Sequence, residues 1–397
     1  VGTTPIGLAN VVDTPDGSLE TLESVSMGLV DAANQEDIVI LNGENAVLGS
    51  RVNAAANISG TAIAVMPKRF LYGDPQDSVR SYQGVPFALF DHGGDAVFVN
   101  ADGIGTKTEI YERAGLFEMG LDDFLAMNLD DTIKAGALAR VVSGVTETLG
   151  SIPFKKIQQR LQQHAEKMKI QAIIHHERVG RRIQGIRGAN RVYNINGAVV
   201  STIDEDRLAN PLKSEAGDYL IAVWGDPNPR SNGISSRRRV VAKHFGAEWH
   251  RREDCRDLIA YLSSPSTVLY PVFKDLVDGG LATNVYHMSG GAYNGKLAKP
   301  LAQQGLFVKL EDLPNLPDPE RKFIEISSIS AQDAYAQWPM GIDGFVTIKE
   351  KDLGAARTAI TALNLGSAVV GQLITAGSKS GVQLTAFNGE TVYFSGK

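Results

Sequence analysis

An acidic residue, two glycines, a hydroxyl and an amine fall together in Asp102-Gly103-Ile104-Gly105-Thr106-Lys107. Residues of these types suit a phosphate ligand. Glycines permit a tight turn and close backbone approach. Backbone N–H groups and Lys107 attract an anion, and Asp102 can hold the magnesium that phosphate brings. The preceding run, Ala96-Val97-Phe98-Val99, is β-branched and aromatic and reads as a buried strand. The spacing matches neither G-x-x-x-x-G-K-[ST] nor G-x-G-x-x-G, and an ordinary glycine turn explains the same letters.

Other groups carry chemistry further along. Asp130 and Asp131 adjoin in Met127-Asn128-Leu129-Asp130-Asp131-Thr132, among apolar residues where two carboxylates are costly without a cation. With Asp102 they form an oxygen-only set, better suited to magnesium than to zinc. A helix edge facing solvent is the alternative. His175-His176-Glu177 ends an expected strand but lacks the spacing of H-E-x-x-H, which leaves Glu177 as a candidate acid or base, or as a surface strand end.

Pro229-Arg230-Ser231-Asn232-Gly233 precedes a helix. Either Arg230 and the backbone hold an anion at the helix amino terminus, or Ser231 or Asn232 caps it. His287-Met288-Ser289-Gly290-Gly291 sets a histidine beside a glycine loop. The stretch Gly290 to Lys296 approximates a P-loop, but Leu297 stands where a magnesium-binding hydroxyl is needed, so that reading is rejected.

The elements that must position these groups follow from periodicity. Asp122 to Leu138 reads as a helix burying Phe124, Leu125, Leu129 and Ile133. Phe154, Ile157, Leu161, Ala165 and Met168 step by three or four, an amphipathic helix. Strands are expected at Ile170 to Ile174 and at Arg191 to Ile203, the latter with a break at Asn196-Gly197. Before the glycine loop, Asp37 to Leu48 reads as a hairpin turning at Asn42-Gly43, and Pro67 to Val85 as a loop. Asp206 to Gly217 reads as a linker, dividing the chain into domains at 1–209 and 210–397. Beyond it a strand is expected at Tyr219 to Trp224, with helices at Ile234 to Phe245, along Val268 to Leu276 and ending near Gln303. A strand at Gly344 to Ile348, a helix at Leu353 to Leu363 and strands near Val369 to Ile374 and Val382 to Phe387 complete an α+β pattern.

Composition narrows the class. A net charge of -6 gives no electrostatic footprint for nucleic acid. The basic run Arg237-Arg238-Arg239 reads as a solvated helix face or an anion contact. One cysteine, Cys255, excludes an internal disulfide framework. No apolar run approaches the roughly 20 residues that span a bilayer, and Val1 to Asn10 lacks the shape of a signal peptide. The expectation is a cytoplasmic protein with no membrane and no nucleic-acid partner.

In order, the segments resemble the phosphoribosylformylglycinamidine cyclo-ligases, or aminoimidazole ribonucleotide synthetases. That family has D-G-x-G-T-K, here Asp102 to Lys107, then M-x-x-N-D, here Met127 to Asp131. It has G-G-E at a strand end, H-S-N-G before a helix and P-T-x-[IV]-Y, here His175 to Glu177, Arg230 to Gly233, and Pro265 to Tyr270 with one extra residue. H-[IL]-[ST]-G-G and N-M-G-[IV]-G follow, here His287 to Gly291 and Pro339 to Asp343. The match spans Asp102 to Asp343 and leaves the first hundred residues uncovered.

The resemblance implies an amino-terminal domain whose strands form a barrel across a homodimer interface, and a carboxyl-terminal α+β domain. It implies ATP and magnesium as cofactors and a nucleotide as the small-molecule substrate. By position, Asp102 and Asp131, with Asp130 beside them, would hold magnesium, and Gly103, Gly105, Thr106 and Lys107 would line the ATP phosphates. Lys107, Glu177 and His287 would be catalytic, and Arg230, Ser231, Asn232, Gly290 and Gly291 would bind substrate. Departures from the pattern are His175 and His176 for two glycines, Arg230 for histidine, Asp130 for asparagine and Asp343 for glycine. They leave open another ATP-dependent member of the superfamily and a non-catalytic nucleotide-binding relative.

Overall fold

The computed structural model describes residues 3–65, 79–82, 85–180, 183 and 192–396. The chain forms two compact units, Val1–Phe124 with Ala137–Leu208, and Leu125–Gly136 with Ala209–Lys397.

The first unit begins with strand β1 (Thr4–Thr14), helix α1 (Leu19–Gln35), and strands β2 (Val39–Val47) and β3 (Asn57–Val65). Ser18 caps α1, its Oγ accepting from Thr21 N at 3.4 Å. These strands form one sheet in the order β2-β1-β3, with β2 parallel and β3 antiparallel to β1. The expected hairpin at Asn42-Gly43 is therefore a single strand. A register shift opposite Leu8 and Ala9 absorbs one extra residue of β2, and Asn42 Nδ2 donates to Val99 O at 3.2 Å. Here the turn dipeptide sits mid-strand, because tertiary pairing outweighs its local preference.

Strands β4 (Val79–Tyr82) and β5 (Val85–Ala88) pair as a ribbon within the stretch expected as a loop; positions 67–78 of that stretch lie outside the described residues. Then come β6 (Ala96–Ile104), α2 (Thr108–Ala114), α3 (Gly120–Lys134), β7 (Leu138–Leu149), α4 (Phe154–Met168), β8 (Gln171–Arg178), β9 (Val192–Ile203) and the short α5 (Glu205–Ala209). Their sheet runs β6-β9-β7-β8. β7 and β8 are parallel, which requires a crossover, and α4 supplies it.

β9 is unbroken at Asn196-Gly197. Gly197 lies opposite Gly144, and a Cβ there would stand 2.1 Å from Ser143 O and 2.9 Å from Phe124 Cζ. That glycine gives the Phe124 ring its seat against the sheet; it does not end the strand.

The opposite face of this sheet is covered by β1 and β3. Ala9, Val11 and Ile63 pack with Val99, Ala101, Val141, Ala198 and Val200 in one apolar cluster. Thr61 Oγ1 donates to Ser143 Oγ at 3.3 Å across the two layers. The sheets of the described residues are open, and within the single chain none closes into a barrel.

The second unit is built on two sheets. One, in the order β11-β13-β10-β14, joins β10 (Tyr219–Trp224), β11 (Ala282–His287), β13 (Gly344–Ile348) and β14 (Gly366–Gln372). Its central strand β13 is buried along its whole length. The other, β15-β12-β16-β17, joins β12 (Leu306–Leu310), β15 (Ile374–Thr375), β16 (Gly381–Thr385) and β17 (Thr391–Phe394).

Helices α6 (Ile234–Phe245), α7 (Arg256–Leu262), α8 (Tyr270–Asp278), α9 (Lys299–Gln303), α10 (Asp318–Ser327), α11 (Ala331–Gln337) and α12 (Leu353–Ala362) connect them. Val272, Phe273 and Leu276 of α8 are buried, as their spacing predicts. Leu125, Leu129 and Ile133 of α3 are buried too, each contributing roughly 1.5–3 kcal/mol. Among the described residues no helix is long and apolar enough to cross a membrane.

Candidate functional site

The glycine motif of the first unit is more strand than loop. β6 continues through Asp102 and Gly103 to Ile104, with Asp102 opposite Gly197 of β9 and Gly103 opposite Asn196. Asp102 Oδ1 accepts from Gly103 N at 2.6 Å. A Cβ at Gly103 would lie 2.0 Å from Asn196 Oδ1, and one at Gly105 would lie 2.6 Å from Leu48 Cδ1. Close packing of the chain on itself thus demands both glycines. Gly103→Ala is expected to cost about 1–3 kcal/mol, read as a lower urea midpoint in nucleotide-free protein. An unchanged midpoint would mean that β9 yields without cost.

Lys107 is turned inward. Its Nζ lies 2.9 Å from Asp123 Oδ1, with both side chains buried, and Tyr111 also donates its hydroxyl proton to Asp123. The expected phosphate-facing amine is engaged as one half of a buried ion pair. Glu177 lies within β8, not past its end, because the strand runs on to Arg178. Its carboxylate is exposed, 3.4 Å from His175 Nε2.

The second unit brings together residues that were read separately. Asp130 is fully buried. Its Oδ1 accepts from Leu269 N and Tyr270 N, both at 2.8 Å, and so caps the amino end of α8. Its Oδ2 accepts from Arg230 Nη2 at 3.0 Å. Arg230 Nη1 donates to Thr267 O at 2.9 Å and lies 3.5 Å from Asp343 Oδ1. Asp343 in turn accepts from Gly225 N and Thr267 Oγ1, both at 2.7 Å. Three positions that depart from the family pattern form one buried network. Arg230, expected to meet substrate, points into the protein, and Asp130, expected to hold magnesium, has both oxygens committed.

His287, the last residue of β11, is buried beside this network. Its Nδ1 is 3.4 Å from Arg230 Nη2, and its Nε2 is 3.2 Å from Asp131 Oδ1. Because a guanidinium can only donate, Nδ1 is placed as the acceptor and Nε2 carries the proton; Nε2 stands near Asp131 Oδ1 without a hydrogen bond to it. Burial works to raise the Asp131 carboxyl, but His287 and Lys134 outweigh it and hold it well below the usual carboxylate range. The carboxylate is therefore charged at neutral pH, and it is only partly buried.

The loop Pro229 to Gly233 is held by a residue expected on the surface. Arg237 is fully buried, donating to Asn232 O at 2.7 Å and to Pro229 O at 3.3 Å, pairing with Glu320, and lying 4.9 Å from the Trp338 ring. Asn232 Nδ2 donates to Met288 O at 2.9 Å, tying this loop to the end of β11. Gly233, not Ser231 or Asn232, occupies the amino cap of α6. Gly290 is open on its Cβ side, whereas a Cβ at Gly291 would lie 3.1 Å from Gly295 Cα.

A cavity of about 330 Å³ opens on His287 and is lined also by Lys134, Asn284, Tyr286, Lys296 and Lys299. Three amines line it; Lys134 is already paired with Asp131, and Lys296 and Lys299 suit an anion. The sequence reading missed all three. Lys296 belongs to the stretch rejected as a P-loop, and only the turn from Tyr293 to Ala298 brings it to the cavity.

Among the described residues no three Asp, Glu, His or Cys side chains converge to hold a metal. Magnesium carried by a nucleotide needs less, since one or two carboxylates complete a shell of phosphate oxygens and water. Asp131 is fit for that role, and Asp130 is not.

An α+β architecture of two units is the fold found in two solved structures. Thiamine-monophosphate kinase of Stenotrophomonas maltophilia superposes with a TM-score of 0.52 at 13% identity, covering 75% of this chain and 88% of that one. A hydrogenase maturation protein of E. coli gives 0.50 at 17%, covering 77% and 89%.

No family model matches the sequence. Several curated relatives bear the name phosphoribosylformylglycinamidine cyclo-ligase, and the chain is a divergent relative of these enzymes. It is 23% identical to that of Thermococcus gammatolerans over 79% of this chain and 91% of the relative. For Methanobrevibacter smithii the figures are 26%, 67% and 76%.

Proposed function

We propose that the chain closes the imidazole ring of aminoimidazole ribonucleotide from formylglycinamidine ribonucleotide at the expense of ATP. The formyl amide oxygen takes the γ-phosphoryl group and ADP is released. An amidine nitrogen then adds to the imidate carbon, phosphate leaves, and the nitrogen loses a proton. The observation that carries this reading is His287, set between Asp131 and Arg230 and opening on the lysine-lined cavity.

His287 would move the proton of the closing ring, and Asp131 steadies the cation formed. Lys296 and Lys299 would receive the substrate phosphate, with Ser231, Asn232, Gly290 and Gly291 on the adjoining loops. Magnesium arriving with ATP would neutralise charge on the transferring group; Asp131 is the candidate ligand we assign in the second unit, and Asp102 keeps the role that family position gives it. Gly103, Gly105, Thr106, Lys107 and Glu177 keep the roles that family position gives them. Lys107 acts there through Asp123. Homodimerisation and a cytoplasmic location belong to the same reading.

The test is ATP hydrolysis with and without formylglycinamidine ribonucleotide, following the aminoimidazole product. We expect turnover to depend on that substrate. ATP turnover indifferent to it favours the second reading, a different substrate in the same superfamily, which the inward-facing Arg230 supports.

A further inference from the structure

The sandwich of the first unit is apolar at one end and polar at the other. Asp13 of β1 pairs with Asn57 of β3, and Glu147 of β7 pairs with Asn194 of β9. Directly opposed residues of antiparallel strands share a face, and both pairs lie on the faces that carry the apolar cluster. Asn57 Nδ2 donates to Glu147 Oε2 at 2.6 Å, joining the two layers. Asn196 Nδ2 donates to Asp13 Oδ2 at 2.9 Å, and Asn57 bonds Asp13 as well.

Two carboxylates thus meet within the sandwich, Asp13 only 2% and Glu147 only 4% exposed. Among the described residues the cation acting on Asp13 is Arg51, which already donates to Glu112, Thr108 and Tyr193 O. Beside them are polar atoms with no partner. Asn194 is fully buried, yet neither its Oδ1 nor its Nδ2 is hydrogen-bonded, and Ser59 Oγ on the interior face of β3 has none either. A buried amide left unbonded is costly, so this end of the sandwich is built to hold something.

We propose that it is a binding site for a hard divalent cation, calcium in preference to magnesium, held by Asp13, Glu147, Asn194 Oδ1 and Ser59 Oγ. The donors are all oxygen, which excludes a zinc-type site. Four side-chain oxygens from four strands suit calcium, whereas magnesium retains its waters and demands a stricter octahedron. The four donors belong to the first unit, whereas Asp131 belongs to the second.

The experiment is isothermal titration of CaCl2 and of MgCl2 into chelator-stripped, nucleotide-free full-length protein, with thermal unfolding in parallel. Wild type is expected to show one saturable calcium site that raises Tm, and weaker magnesium binding. Glu147→Gln, which keeps the side-chain shape, is expected to weaken calcium binding roughly tenfold or more and to abolish the Tm rise. Ser59→Ala is expected to act in the same direction, and serves should Glu147→Gln fail to fold. Asp131→Asn is expected to leave calcium binding unchanged. Saturable binding unaffected by both sandwich variants, or no saturable calcium binding in wild type, overturns the site. Magnesium binding as tight as calcium overturns the choice of ion.

Discussion

Replacing Arg230 by glutamine is expected to destabilise the second unit by about 3–5 kcal/mol. The guanidinium is fully buried and faces two buried carboxylates, Asp130 at 3.0 Å and Asp343 at 3.5 Å. Its removal leaves both charges without a counterion, and the cost is mostly theirs. Asp130→Asn should cost less. The amide oxygen can still accept from Leu269 N and Tyr270 N, and Arg230 keeps Asp343. The double variant Arg230→Gln/Asp130→Asn should be more stable than the sum of the two losses requires, because one unpaired carboxylate has gone with the arginine. Urea denaturation of the four proteins measures that coupling. Additive losses would show that Arg230 and Asp130 are neighbours without being a pair.

The largest expected effect on chemistry is at Asp131. Asp131→Asn removes the charge beside His287 Nε2, and turnover should fall by about 10²-fold or more. His287→Asn should fall by a similar factor, and the pair together by little more, since residues that act as a unit are not additive. Stopped or steady-state assays with ATP and formylglycinamidine ribonucleotide measure kcat and KM for each. A change confined to KM for ATP would reassign Asp131 to nucleotide binding alone, and unchanged kinetics would remove it from the site.

Much of the second unit was legible from sequence. The strand from Tyr219 to Trp224 and the helix from Ile234 to Phe245 have the expected bounds, because apolar periodicity and flanking glycines agree there. The first unit was less so. Asn42-Gly43 carries a strong turn signal but lies in a strand, and Gly197 imitates a break while making room for Phe124. In both places a contact distant in sequence decides, and such contacts leave no periodic trace.

The same limit governs the site. Arg230, Asp130 and Asp343 each departed from a familiar pattern and each suggested altered chemistry. That they neutralise one another is a fact of three dimensions. Arg237 reads from its run of three arginines as a solvated face or an anion contact; it is buried against the Glu320 carboxylate, and its guanidinium is also the clamp on the loop from Pro229 to Gly233. His287 and Asp131 were named from sequence, but not as a pair.

The layer formed by β1 and β3 has a consequence for assembly. Val99, Ala101, Val141, Ala198 and Val200 present a greasy face that a lone four-stranded sheet would have to hide against a second molecule. Here the cover arrives on the same polypeptide, so its docking is intramolecular and does not weaken on dilution. Any barrel shared between copies must be assembled from another surface. Trimming the chain back past residue 65 would turn a sealed interior into an adhesive one.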